Sequence, residues 1–217
     1  GDDPTILAAG IFNYKPEEQL APDLVAMPNF LSLGIQINGE RFRLDQGTIL
    51  GFERILDLRQ ATLRRGVLWL SPKGTILRLA FERFASLANQ HAALLRVLIQ
   101  VLSEGEHELI LNDCIDGTVL NPGRIDHWAV LEGQVNADGL EIAGRTLQSG
   151  YEVAIETRGD LDGVAVTWHN DQSNPRMPAR SAKFTLRENE SCTFTRRVNF
   201  AIHTSRDVHH PAEAAQS

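Results

Sequence analysis

Paired carboxylates are the first thing to seek, because glycosidic and acyl chemistry uses one group to give a proton while another accepts one or attacks. Asp113 and Asp116 stand close together in Asn112-Asp113-Cys114-Ile115-Asp116-Gly117. In an extended chain Asp113 shares a face with Ile115, while Asp116 points the other way or enters the Asp-Gly turn, so the two do not converge. Glu53 and Asp57 lie either side of Arg54, and alternating surface charge accounts for them. Metal ligation fares no better. The seven histidines are scattered, with neither Cys-x-x-Cys nor His-Glu-x-x-His spacing. His209 and His210 adjoin in a polar tail, where imidazoles are ordinarily solvated. Asp160-Leu161-Asp162-Gly163 resembles the start of a calcium loop but lacks that loop's later glycine and glutamate. It reads as a tight turn.

Nucleophilic chemistry is equally thin. No Gly-x-Ser-x-Gly elbow and no glycine-rich phosphate loop occurs. Cys114 and Cys192 sit within strand patterns, where a thiol is a small core hydrophobe, and two cysteines make no disulfide framework. Asn189-Glu190-Ser191 matches a glycosylation sequon, a triplet that chance produces often. Eighteen of the 21 basic residues are arginine, and Arg59, Arg64 and Arg65 cluster at one hairpin. Guanidinium groups suit bidentate contacts at interfaces. Trp69, Trp128 and Trp168 fall in strand patterns and are read as core. The residues alone therefore nominate no catalytic residue, no cofactor ligand and no metal ligand.

The elements that would position any site are strands. Leu31, Leu33, Ile35 and Ile37 alternate with smaller or polar residues, and Asn38-Gly39 follows, a pair suited to a type I′ turn. Phe42 and Leu44 resume the alternation. A second hairpin runs Thr62 to Leu70, turns at Ser71-Pro72-Lys73-Gly74 and returns over Thr75 to Phe84. Ala93 to Val101 alternates next, with Leu94 and Leu98 between, which predicts cover on both faces. Further strands are predicted at 107–115, 128–135, 140–147, 151–157, 164–168, 182–186 and 192–203. Asp160–Gly163 is among the intervening turns, and Asp171–Arg180 forms a long loop. No helical period holds over 12 or more residues, although Ala85–Leu95 is rich in Ala and Leu. About a dozen short antiparallel strands bury their apolar faces best as two large sheets packed face to face around an apolar interior.

Composition narrows the partners. The 217 residues carry 21 Lys+Arg against 28 Asp+Glu, a formal net charge of -7, with 42% hydrophobic content. That is globular composition, and its acidic balance argues against nucleic acid or an anionic membrane as partner. No apolar run reaches the roughly 18–20 residues of a membrane-spanning helix. The chain opens on Gly1-Asp2-Asp3-Pro4 and closes on a polar stretch from Thr204, which suggests a piece of a longer protein.

Five strings, in order, carry a resemblance: Ala9-Gly10-Ile11-Phe12-Asn13, Met27-Pro28-Asn29-Phe30, Asp57 through Arg65, Glu82 through Ala88 with His91 beyond, and Ile115 through Asn121. Together they resemble the N-terminal β-domain of glycoside hydrolase family 65, the maltose, trehalose and kojibiose phosphorylase group. The resemblance implies an all-β, galactose mutarotase-like supersandwich over residues 1–203. Residues 204–217 would then start a linker to an (α/α)₆ catalytic barrel not contained in this sequence. It implies a parent enzyme that cleaves α-glucosidic disaccharides with inversion, by phosphorolysis or hydrolysis, with inorganic phosphate as co-substrate in the first case and no other cofactor. The implied partners are that barrel, the disaccharide through the parent, and optionally a second copy of the chain; the expected compartment is the cytoplasm. Met27, Pro28, Asn29, Phe30, Arg59, Arg65, Arg83 and Asp116 are the candidates for docking on the barrel, the alternative being that they cap turns or pair internally. Two other functions compete. One is a free-standing carbohydrate-binding module; the other is an aldose epimerase-like enzyme using His91, His107, His127 or His169 with a carboxylate.

Overall fold

The computed structural model describes residues 5–15 and 18–203. Among these there is no helix. Fifteen strands follow one another: β1 (Ile6–Lys15), β2 (Glu18–Met27), β3 (Leu33–Ile37), β4 (Glu40–Arg41), β5 (Thr48–Asp57), β6 (Thr62–Leu70), β7 (Ile76–Ala85), β8 (Ala92–Val101), β9 (Glu106–Cys114), β10 (Trp128–Val135), β11 (Gly139–Thr146), β12 (Glu152–Asp162), β13 (Trp168–Asp171), β14 (Ala179–Arg187) and β15 (Ser191–His203). They form an eight-stranded sheet ordered β10-β11-β12-β15-β8-β7-β6-β5, a five-stranded sheet ordered β13-β14-β9-β3-β4, and the hairpin β1-β2. All pairings are antiparallel. The two-sheet sandwich is what the alternation predicts.

Turn chemistry sets the register of the hairpins. Asn38 and Gly39 both have positive φ, 50° and 78°, so Ile37 faces Glu40 across a two-residue turn with the twist of type I′. The Ser71–Gly74 turn closes by Gly74 N–H to Ser71 O at 2.9 Å, and the Ser71 hydroxyl accepts Thr75 N–H at 3.0 Å. Other expectations need correcting. The strand after Gly39 stops at Arg41, and Phe42 folds inward instead. Asp160 to Asp162 extend β12 against β15, so the turn begins only at Gly163. The stretch 164–167 is irregular, and β13 starts at Trp168. β1, β2 and β5 lie where no strand is predicted.

Two apolar cores lie on the same face of the large sheet. One, between Trp69, Leu77, Leu79, Val97, Ile99 and Phe194 on that sheet and Ile35, Leu109, Leu111 and Phe184 on the smaller one, fills the sandwich. The other places Ile11, Val25 and Met27 of the β1-β2 hairpin over Leu131, Leu140, Ile142, Val153 and Ile155. Thus the smaller sheet covers one part of the large sheet and the hairpin covers the β10–β12 part. The opposite face of β8 is not covered by a third layer. Arg96 there is exposed, and Leu94 and Leu98 are half-buried. The sequence expectation of double cover is not met among the described residues, none of whose elements lies on that side.

Candidate functional site

The interior is not wholly apolar. Asp113 of β9 is opposite Arg180 of β14 in register, and Arg196 of β15 reaches it from the large sheet. The three side chains are 0%, 2% and 0% exposed. Arg180 Nε donates to Asp113 Oδ2 at 2.9 Å and its Nη2 to Gly159 O at 2.6 Å. Arg196 Nη2 donates to the other carboxylate oxygen, Oδ1, and to Ser32 O at 2.9 Å, while its Nη1 donates to Phe30 O. The Arg180 guanidinium also lies 4.2 Å from the centre of the Trp168 ring. One carboxylate thus neutralises part of two buried cations, and the carbonyls of Gly159, Phe30 and Ser32 take further donors, while the buried Arg196 Nε has no partner among the described residues. The arrangement locks both sheets and the 30–32 segment together. It holds no space for a substrate.

The motif asparagines do related work. Asn29 and Asp116 exchange backbone hydrogen bonds at 2.7 and 3.1 Å. Asn29 Oδ1 accepts Leu31 N–H, and Asp116 Oδ1 accepts the N–H and hydroxyl of Thr118. Asn121 imitates a neighbouring strand, accepting Ala26 N–H and donating to Leu24 O, both at 2.8 Å. Trp128 Nε1 donates to Ala26 O at 3.2 Å. In this way side chains finish the hydrogen bonding that β2, paired with a single strand, would otherwise lack.

Asn13 and His127 form the one imidazole cluster that meets a carboxylate among the described residues. Asn13 Oδ1 accepts the N–H groups of Gln148 and Ser149 at 3.1 and 2.9 Å, so its Nδ2 is the donor to His127 Nδ1 at 3.1 Å. The proton of neutral His127 is therefore on Nε2, which faces Asp23 Oδ2 at 3.4 Å. An imidazole–carboxylate pair suggests acid–base chemistry, but His127 is 1% exposed. The other proposed imidazoles meet no carboxylate among the described residues. His91 Nδ1 donates to Phe200 O at 2.9 Å, and His107 contacts the Asn38 amide and Glu104 O. His169 is exposed on β13. His209 and His210 lie outside the described residues, as does the predicted linker 204–217.

An open cleft of about 500 Å³ lies where β1 meets the large sheet, walled by Met27, Phe30, Ile155 and Phe200, with Gln90 and His91 at its polar end. It brings no acid and base together. Of the thiols, Cys114 is half-buried and donates to Ser32 Oγ at 3.1 Å. Burial pushes the Cys192 thiol up to about 12. At pH 8 only about one Cys192 in 10⁴ is then a thiolate, the form that alkylating reagents need. Iodoacetamide at pH 8 is expected to spare native Cys192 and to modify it fully in urea; fast native modification would contradict its place in the core.

The docking candidates separate. Met27, Pro28, Asn29 and Phe30 are buried inside the domain, and Asp116 caps the loop beside them. Arg59 is exposed in the β5–β6 turn, with its N–H and that of Gln60 held by Asp57 Oδ1. Arg65 and Arg83 come together on the large sheet. Across the ladder Arg65 opposes Arg54 and Phe81, while Arg83 opposes Leu63. Sequence reasoning misses Arg54, because its strand carries no clean alternation, and misses Arg180 and Arg196, whose partner is remote in sequence.

Residues 2–217 match the N-terminal domain of glycosyl hydrolase family 65. The chain belongs to this family. A kojibiose phosphorylase of Halothermothrix orenii is 35% identical over 206 residues, covering 92% of this chain and 25% of the relative. An alpha,alpha-trehalose phosphorylase of Thermoanaerobacter brockii is 38% identical over 187 residues, covering 80% of this chain and 23% of its own length. A solved kojibiose phosphorylase-like structure from the human microbiome superposes with a TM-score of 0.78 at 17% identity, over 95% of this chain and 27% of that one. The last match speaks for the fold alone. The family 65 domain described here spans about a quarter of the length of these relatives.

Proposed function

We propose that this chain is the non-catalytic N-terminal domain of a family 65 enzyme that cleaves an α-glucosidic disaccharide with inversion. The observation that carries this reading is the alignment of nearly the whole chain with phosphorylases four times its length. A second observation supports it: the described acid–base candidates are either sealed, as His127 is, or unpaired. In the parent enzyme a carboxylic acid outside this chain gives its proton to the glycosidic oxygen. A phosphate oxygen bonds to the anomeric carbon from the opposite face as the carbon–oxygen bond to the leaving sugar breaks. The products are β-glucose 1-phosphate and the released sugar; water in place of phosphate gives hydrolysis. The competing sugar-module reading has less support, since Trp69 and Trp128 are buried and supply no stacking surface.

The test compares the complete polypeptide with residues 1–217 on kojibiose, trehalose and maltose. Phosphate-dependent release of β-glucose 1-phosphate is expected from the complete polypeptide alone. Turnover by the 217-residue chain, or release of the α-anomer, would overturn the proposal.

A further inference from the structure

Arg54, Arg65 and Arg83 occupy one face of β5, β6 and β7, the face that carries Val67 and Trp69 into the sandwich core. The five-stranded sheet does not reach them. It ends at the two residues of β4, after which Phe42 packs on Trp69 and Phe81 with ring centroids 5.4 and 6.2 Å apart. Beyond Phe42 none of the described residues covers the large sheet. Phe52 and Leu56, which flank Arg54 on the same face, are 54% and 62% exposed.

The charges on this face are unbalanced. Many guanidinium groups elsewhere meet carboxylates, among them Arg43 with Asp45, Arg64 with Glu82, Arg187 with Glu106 and Arg197 with Asp160. The side chains of Arg54, Arg65 and Arg83 make no hydrogen bond or ion pair among the described residues, in a chain with seven more acidic than basic residues. Arg65 lies 4.1 Å from the Phe81 ring centre, and its buried Nε has no partner. Burial, then the charges of Arg83 and Arg54, pushes the Arg65 guanidinium below its ordinary value. Three like charges set among apolar side chains are stabilised by an occupant that brings carboxylates and covers the hydrocarbon. A small hydrated anion would match the charge and leave Phe52 and Leu56 wet. A protein segment satisfies both.

We infer that the Arg54–Arg65–Arg83 face of β5–β7 is the docking surface for a carboxylate-bearing, otherwise apolar segment of the companion domain in the same polypeptide. This rests on the family 65 reading above and specifies which surface is used and what chemistry meets it. Arg65 and Arg83 supply the charge, and Phe52 and Leu56 the apolar contact.

Hydroxyl-radical footprinting of the complete polypeptide tests the inference. After correction for intrinsic reactivity, Phe52 and Leu56 are expected to label about fivefold more slowly than Leu147 and Val130, which are similarly exposed in this domain. The double variant Arg65→Glu/Arg83→Glu should restore labelling at Phe52 and Leu56 with the circular dichroism spectrum unchanged, while Arg65→Lys retains protection. Free labelling of Phe52 and Leu56 with protection on another face would overturn the inference and leave the family 65 reading standing. Free labelling on every face would remove both. Protection that survives the double charge reversal, or appears only when phosphate is added, would overturn the carboxylate assignment.

Discussion

Asp113→Ala is expected to destabilise the domain by about 3–5 kcal/mol, because it leaves Arg180 and Arg196 buried without their anion. For a domain of this size that corresponds to a fall of roughly 10 °C in Tm. Desolvation decides the magnitude. Removing one partner leaves the burial cost of the other two charges in place while their compensation disappears. Asp113→Asn keeps the shape and loses the charge, and should fall between wild type and alanine. Replacing all three together, Asp113→Leu with Arg180→Met and Arg196→Met, should recover only part of the loss, since Gly159 O, Phe30 O and Ser32 O then lose their donors. Urea unfolding measures the series. A cost under about 1 kcal/mol for Asp113→Ala would show that water reaches the seam.

Gly139→Ala carries the next largest effect. Gly139 opens β11 directly against β12, with Leu140 opposite Thr157. A Cβ there would overlap the Thr157 carbonyl oxygen and lie 2.8 Å from its carbon and 3.2 Å from Arg158 Cα. The obstacle is backbone, and β12 is fastened on its other side to β15, so relief requires parting the β11–β12 ladder above Leu140 and Ile142. The expected cost is about 3 kcal/mol or more. Gly150→Ala is the matched control. Its φ of +69° strains any side chain, yet nothing lies within 4 Å of the new carbon, so about 1 kcal/mol is expected. A smaller loss at Gly139 than at Gly150 would mean that this sheet yields more readily than its register implies.

These two sites show what a linear reading can and cannot recover. Alternation along β3, β6, β7, β8 and β15 is a local property, since one face of each strand meets the core, and the Asn38-Gly39 turn follows from backbone sterics alone. Gly139 falls in the gap between the predicted strands 128–135 and 140–147; its actual constraint is the approach of Thr157 on β12. Asp160 and Asp162 suggest a turn because Asp-Gly combinations favour turns, but pairing with β15 overrides that preference. The seam is harder still. Asp113 meets Arg180 across 67 residues and Arg196 across 83, and Asn13 meets His127 across 114, so no spacing rule connects them. The resemblance to family 65 picks out Arg65 and Arg83 but also the buried Met27–Phe30 string, because a motif records that a residue matters and not whether it faces inward or outward.

The two-residue β4 has a bearing on synthesis. If this domain precedes a larger companion on the ribosome, it emerges first and can fold while its outer flank awaits cover, since domains commonly fold as units in order of translation. During that interval β5 presents an unpaired edge with Phe52, Ile55 and Leu56 exposed, the kind of strand that recruits another from a neighbouring nascent chain. Glu53, Arg54 and Asp57 interrupt that apolar run with alternating charge, as gatekeepers do. On the docking proposal Arg54 would serve at two stages: its charge discourages premature strand pairing early, and later it joins the surface that the companion segment meets.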